Sequence, residues 1–235
     1  MINTLVLLAG GKATRLRPVT ETIPKSLLEV AGKPFIDHQL DLIKSNNITK
    51  VVICVSYLGE KIKQFAGDGS RYGLKIDYSF DGDTLLGTGG TIKNAFPLLD
   101  ENFFVLYGDS YLTTDFQKAG EYFLSDSKSG LMTVFRNENK WDKSNIEFIK
   151  GNIIRYDKKI KDEKMKYIDY GLGILNKKAF DEFKDKTIFD LEAVYQDLIS
   201  KYDLLGYEVS ERFYEIGSFK GLEETQMLLN KSHIN

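Results

Sequence analysis

Strand-like runs recur through the first half of the chain, at 5–8, 51–55, 76–80 and 103–107, the first of them continuously apolar. Runs of this length without polar alternation are the pattern of strands buried on both faces of a parallel sheet. Between them, segments 35–45, 58–65 and 91–99 space their apolar residues as helices do. Strand and helix therefore alternate, which predicts an α/β fold: a doubly wound, mostly parallel sheet flanked by helices, joined by right-handed crossovers. Ligands of such sheets collect at the carboxyl ends of the strands. In the second half, 130–135, 146–149, 153–156 and 168–175 read as successive strands joined by polar turns such as Lys150-Gly151-Asn152, predicting antiparallel additions that make the sheet mixed. Helices are expected at 177–183, 191–200 and 219–230, with a further strand at 204–209. No repeat or linker interrupts the chain, and only the lysine-rich stretch 158–166 reads as a loose loop. A single domain over 1–235 is expected, in two halves, 1–115 and 116–235, of different strand pattern.

Charge and cysteine content narrow the function classes. Lys and Arg number 32 against 34 Asp and Glu, for a net charge of −2, so no excess positive field is available to hold nucleic acid by its backbone. The single Cys54 makes neither an intrachain disulfide nor a four-cysteine zinc site. No stretch approaches the ~20 apolar residues of a membrane span, and the first residues carry no charged leader, so a cytoplasmic protein without membrane or nucleic-acid partners is expected. The pairs Phe103-Phe104 and Phe213-Tyr214 fit a homo-oligomer interface or the core equally well.

Candidate chemistry begins directly after the first strand. Leu8-Ala9-Gly10-Gly11-Lys12-Ala13-Thr14-Arg15 and the following Arg17 and Lys25 put a glycine pair and four cations at the mouth of the sheet. Main-chain N–H groups at a glycine turn approach an anion closely, and the cations neutralise it. This spacing is neither a Walker loop nor the dinucleotide fingerprint. A plain glycine turn among solvated cations is the alternative. Tyr107-Gly108-Asp109 ends the fourth apolar run, where a carboxylate needs a cation nearby, for which magnesium is suited.

Gly10-Gly11-Lys12-Ala13-Thr14-Arg15-Leu16-Arg17-Pro18-Val19-Thr20, then Pro24-Lys25, resembles the signature of the sugar-1-phosphate nucleotidyltransferases, with Ala13 where a third glycine is usual. Its length is similar to that of the branches acting on heptose 1-phosphate with GTP and on N-acetylmuramate 1-phosphate with UTP. The resemblance implies a Rossmann-like mixed sheet and NDP-sugar biosynthesis, as used for cell-surface polysaccharides. It makes Arg15 and Lys25 the catalytic holders of the phosphates, Lys25 nearest the α-phosphate, and 8–14 the nucleotide loop. Leu86-Gly87-Thr88-Gly89-Gly90 resembles the loop lying along base and sugar, with a loose helix start as the alternative; Asp81 before it either touches the base or forms a turn. Asp109 would be one Mg2+ ligand. Glu215, in Tyr214-Glu215-Ile216-Gly217, would be the second in place of the usual Asp, although capping by a lone acid is an alternative for each. On the acceptor side the resemblance assigns Gly108, Asn145, Lys158, Asp169 and Gly171, with Asp169 replacing an Asn. Lys158 sits among other lysines, so a solvated face competes with that role.

The implied reaction joins a nucleoside triphosphate to a sugar 1-phosphate by in-line attack on the α-phosphate. Neither His38, on a predicted helix, nor His233, near the end, is placed for catalysis. Two rivals share the fold: a cytidylyltransferase for a non-sugar phosphoester, and an inactive nucleotide-sensing subunit, suggested by the departures at Ala13, Asp169 and Glu215.

Overall fold

The computed structural model describes residues 1–11, 14–160 and 162–232; Lys12, Ala13, Lys161 and the last three residues, His233 among them, lie outside. Its elements in chain order are β1 (Thr4–Leu8), β2 (Glu29–Val30), β3 (Lys33–Pro34), α1 (Phe35–Ser45), β4 (Lys50–Val55), α2 (Gly59–Ala66), β5 (Lys75–Phe80), α3 (Gly87–Asn94), β6 (Asn102–Tyr107), β7 (Ser110–Leu112), α4 (Phe116–Leu124), β8 (Gly130–Arg136), β9 (Ile146–Ile149), β10 (Asn152–Tyr156), β11 (Tyr167–Asn176), α5 (Leu191–Ser200), β12 (Leu204–Val209), β13 (Phe213–Glu215) and α6 (Phe219–Ser232).

Among the described residues, nine strands form one mixed sheet. β6, β1, β4 and β5 run parallel in that order, and β11 joins antiparallel beside β6. β11 then pairs with β8, β12 lies parallel on β8, and the β9/β10 hairpin leans on the start of β11. The continuous apolar run of β1 is explained by two cores, one on each face. Leu5 and Leu7 pack with Ile36, Leu40 and Ile43 of α1, Ile62 of α2 and Phe116 of α4, while Val6 between them packs with Ile92 of α3 and Val194, Tyr195 and Leu198 of α5. Alternate side chains of one strand thus leave water on opposite faces, which removes the polar alternation a half-buried strand would show.

The parallel register brings Leu8, Cys54 and Tyr107 level, so the chain leaves β1, β4 and β6 at one edge. Two elements there escape the periodicity: the three-residue strands β7 and β13, which pair antiparallel, Ser110 opposite Glu215 and Tyr111 opposite Tyr214. The helix expected over 91–99 instead starts at Gly87 and ends in a separate 3-10 turn, Phe96–Leu98, and the one expected over 177–183 is 3-10 throughout. Phe103 and Phe104 are fully buried, and the partly buried Phe213 packs edge-on against Phe135 and Tyr170, so these three take part in the core. Among the described residues, no helix is long and apolar enough to cross a membrane.

Candidate active site

A cavity of about 300 Å³ opens at the carboxyl edge of the parallel strands. Leu8, Ala9, Gly10 and Gly11 form one wall, Gly108 and Asp109 another, with Lys25 between them and Asp81, Leu85, Gly87, Thr88, Thr91 and Asp190 at the far end. The walls can approach because position 108 has no side chain. Its N–H donates to the Leu8 carbonyl at 3.0 Å, and a Cβ there would fall 2.6 Å from that same oxygen.

Lys25 opens the 3-10 turn Lys25–Leu27, and its Nζ meets Asp109 Oδ2 at 2.6 Å, both side chains partly exposed. Asp109 is held from below by α1. The fully buried Gln39 donates from Nε2 to the carbonyls of Tyr107 (3.1 Å) and Ser110 (2.9 Å), spanning the turn that carries it. The Ile216 N–H donates to the Asp109 carbonyl at 2.9 Å, continuing the β7/β13 ladder and bringing the late acid beside the early one. Gly217 marks the convergence: a Cβ on it would lie 2.6 Å from Glu215 Oε2, 3.0 Å from Arg15 Nη2 and 3.2 Å from Asp109 Oδ2. Glu215 also closes the turn before α6, accepting from the Gly217 N–H and, at 2.6 Å, from the Ser218 hydroxyl. Among the described residues no group of three or more acids, histidines or cysteines is gathered; the acids here are a pair.

Arg15 is exposed and lines a neighbouring cavity of about 220 Å³ with Glu215, Trp141 and Arg212, rather than the first. The Arg212 guanidinium lies 3.4 Å over the Trp141 ring and pairs with Glu224.

At the far end, Asp81 accepts from the Thr91 hydroxyl at 2.6 Å, tying the end of β5 to α3. Burial raises its carboxyl pKa; hydrogen bonds from Thr91 and the Leu86 N–H oppose this. Residues 87–90 form the first turn of α3, so of the two readings, a loop beside a flat ring or a helix start, the helix start is the one present. Their glycines are required by the segment packed on them: a Cβ would come 2.6 Å from the Phe189 carbonyl oxygen at Gly87, 2.5 Å from the Phe189 ring at Gly89 and 2.3 Å from the Thr187 carbonyl oxygen at Gly90. Gly89 lies beneath Phe189 and does not line the cavity. The contact is reciprocal, since Asp190 Oδ1 accepts from the Thr88 N–H at 3.3 Å and Thr88 Oγ1 from the Leu191 N–H at 2.8 Å.

The acceptor-side candidates form a third group. The Asn145 amide oxygen accepts from the Asp169 N–H at 3.0 Å, and the Asn145 carbonyl accepts from the Asp157 N–H at 3.0 Å. Lys158 is exposed, and its N–H donates to Glu192 Oε1 at 3.1 Å. Asp169 Oδ2 accepts from the Tyr156 hydroxyl at 3.0 Å, and Oδ1 from the Gly171 N–H at 3.1 Å. Burial first, and Asp169 second, push the phenols of Tyr107, Tyr156 and Tyr195 well above their ordinary range. His38 is buried, with Nε2 2.7 Å from the Val30 carbonyl, and Cys54 is a buried thiol raised by desolvation, so both are core groups.

Sequence reasoning missed Gln39, Tyr107, Asp190 and Ser26. Asp190 carries a legible signal, an acid directly before a helix; Gln39 is a polar residue on an otherwise apolar helix face, a signal for a buried hydrogen bond but not for its partner. Ser26 is buried against the cavity, and its hydroxyl has no hydrogen-bond partner. The expectations for Lys12 and Ala13 fall outside the described residues, as does the Thr14 side chain.

Comparison with known proteins places these features in a family. A family model described as nucleotidyl transferase matches residues 4–232. D-glycero-alpha-D-manno-heptose 1-phosphate guanylyltransferase of Campylobacter jejuni is 28% identical over 90% of this chain and 93% of its own. N-acetylmuramate alpha-1-phosphate uridylyltransferase of Neisseria meningitidis is 44% identical over 48% of this chain and only half (50%) of its own length. In a crystal structure, a Bacillus anthracis protein ascribed to the glucose-1-phosphate thymidylyltransferases superposes with a TM-score of 0.87 at 21% identity, over 97% of this chain and 95% of that one. At that identity the likeness speaks for the fold.

Proposed function

The chain belongs to the nucleotidyl transferase family, and from that premise we propose that it joins a nucleoside triphosphate to a sugar 1-phosphate, giving an NDP-sugar and pyrophosphate. The observation that carries this reading is the meeting of Lys25 and Asp109 at 2.6 Å on the floor of a cavity walled by Gly10 and Gly11, with the Glu215 turn laddered against it. The two relatives named above act on sugar 1-phosphates according to their names, which supports the same acceptor class.

The nucleophile needs no base from the protein. A phosphate monoester loses its second proton near pH ~6, so at neutral pH its oxygen is already an anion. The obstacle is bringing two polyanions together, which is met by positioning and charge neutralisation. Main-chain N–H groups of the glycine turn and the Lys25 ammonium receive the triphosphate, Lys25 bearing on the α-phosphate. Arg15, whose Nη2 lies beside Gly217 with the carboxylates of Glu215 and Asp109, neutralises charge from the other side. Attack in line on the α-phosphorus then expels pyrophosphate toward solvent. Asp109 and Glu215 present only hard oxygen donors on either side of Gly217, a donor set that suits Mg2+, and the two would hold it. When bound, the ion would neutralise charge developing on the phosphate oxygens. Lys158, Asn145, Asp169 and Gly171 hold the acceptor, with Gly108 between the two substrates.

The test is pyrophosphate release with magnesium, crossing four ribonucleoside triphosphates and deoxythymidine triphosphate with a panel of sugar 1-phosphates and phosphorylated alcohols. Release that requires one triphosphate together with one sugar 1-phosphate is expected. Release only with a phosphorylated alcohol would move the acceptor class, and triphosphate binding without release under any acceptor would favour a sensor.

A further inference from the structure

Two tyrosines from distant elements close on Asp169, and a third packs edge-on behind Tyr156. Tyr107 ends β6, Tyr156 ends β10, and Tyr195 lies on α5; Tyr156 and Tyr195 are 2% and 3% exposed. The Tyr156 hydroxyl donates to Asp169 Oδ2 at 3.0 Å and the Tyr107 hydroxyl to the same oxygen at 3.4 Å, while the Gly171 N–H takes Oδ1 at 3.1 Å. One glycine of β11 makes room: a Cβ at Gly173 would lie 2.3 Å from the Tyr195 hydroxyl oxygen. Gly171 takes a left-handed φ of +101°, which turns its N–H toward Asp169. The same rings carry a cation on their faces: Lys158 Nζ is 5.5 Å from the Tyr156 centroid and 5.7 Å from that of Tyr107, within cation–π range.

A carboxylate offers about four acceptor positions, so the three bonds above leave roughly one, and that one can be filled only by a donor. We propose that Tyr107 and Tyr156 are positioning residues of the acceptor site. Their hydroxyls fix Asp169 to accept from one hydroxyl of the sugar, and their ring faces hold the Lys158 ammonium for the sugar's phosphate. This rests on the acceptor assignment made above and narrows it to sugars bearing a free hydroxyl at that carbon. An amide in place of Asp169 would accept or donate by flipping; the carboxylate accepts only.

Steady-state kinetics of the full chain test this, with glucose 1-phosphate, mannose 1-phosphate and their monodeoxy forms as acceptors. Tyr156→Phe and Tyr107→Phe each keep the ring and remove one donor. Each is expected to raise the acceptor KM roughly tenfold while the triphosphate KM stays within about twofold, the size of a lost hydrogen bond to a charged group. The deoxy sugar lacking the hydroxyl read by Asp169 should show the same KM in wild type and Tyr156→Phe, because the bond at stake is already gone. Tyr156→Leu, which also removes the ring face, should in addition weaken competition by inorganic phosphate. An unchanged acceptor KM in both Phe variants, or equal rises in both KM values, overturns the proposal; should Tyr156→Phe fail to fold, Tyr107→Phe decides alone. Absence of release by wild type with every sugar 1-phosphate refutes the functional reading itself, and the proposal with it.

Discussion

Lys25 and Asp109 compensate each other in the free protein, and each is the group its substrate-side partner would claim. Their side chains remain 18% and 27% exposed, so solvent screens the pair and its contribution to folding is small, about 0–1 kcal/mol. Lys25→Ala is therefore expected to lower kcat by about 10²–10³, the cost of losing one aimed charge at a developing anion, and to leave thermal unfolding nearly unmoved. Asp109→Ala should behave alike; full turnover in either variant would remove the assignment. Gln39 makes the opposite kind of contribution. Its amide is buried and bonds main chain on both sides of Asp109, so Gln39→Leu removes a buried donor from two carbonyls at a cost of about 1–3 kcal/mol. Its expected signature is a raised magnesium requirement together with a lower melting temperature; a stability loss with unaltered magnesium dependence would make Gln39 merely a core residue. The charged members of this site were legible because glycine, lysine, arginine and aspartate stand in an unusual spacing after apolar runs. Gln39 was not, since its role depends on which backbone lies opposite, and that is decided by tertiary packing.

At the scale of elements, the far end of the cavity is a junction of β5, α3 and the segment before α5. Asp81 ties two of them through Thr91 at the expense of a carboxyl taken out of water. Burial raises its pKa above the unfolded value, so the folded state binds the proton more tightly than the unfolded one. Stability from this group is then fully present below the ordinary carboxylate range and is lost as pH rises through the raised value. At about pH 7 the desolvation penalty is therefore in force, and Asp81→Asn, which keeps an oxygen for Thr91, should melt higher than wild type. The gap should close as both proteins are melted at progressively lower pH; an Asn variant that melts lower at neutral pH would show the charge itself to be stabilising. The early elements could be read from periodicity because β1, β4 and β6 are buried on both faces and each helix on one. α4 had its signals too, Asp115 as N-cap and Phe116, Ala119, Gly120 and Phe123 at helical spacing, and was overlooked among neighbouring strands. β7 and β13 could not be read: three residues make no period, and their pairing joins segments a hundred residues apart.

Across the whole molecule, the site depends on the chain's two ends meeting. The loop that bears Lys25 leads into β2, and the turn that bears Glu215 leads into α6. These are joined not by the main cores but by a small third one, in which Val30 and Phe35 pack with Ile216 and Leu229. The position of α6 thus governs the distance between the late carboxylate and the early cation, although no residue of its apolar face touches the cavity. A latch of so few side chains should open before the nine-stranded sheet does, because its buried area is small and local stability follows buried contacts. Leu229, 3% exposed, is its outermost anchor. Leu229→Ala should cost about 2–5 kcal/mol in the latch, and its effect should be uneven. In a urea titration followed by both triphosphate binding and far-ultraviolet circular dichroism, binding in the variant should fail at clearly lower urea than the sheet signal, whereas in wild type the two midpoints lie closer together. Coincident midpoints in the variant would mean that α6 unfolds only with the rest, and the carboxylate pair would then be held by the global fold rather than by its own fastening.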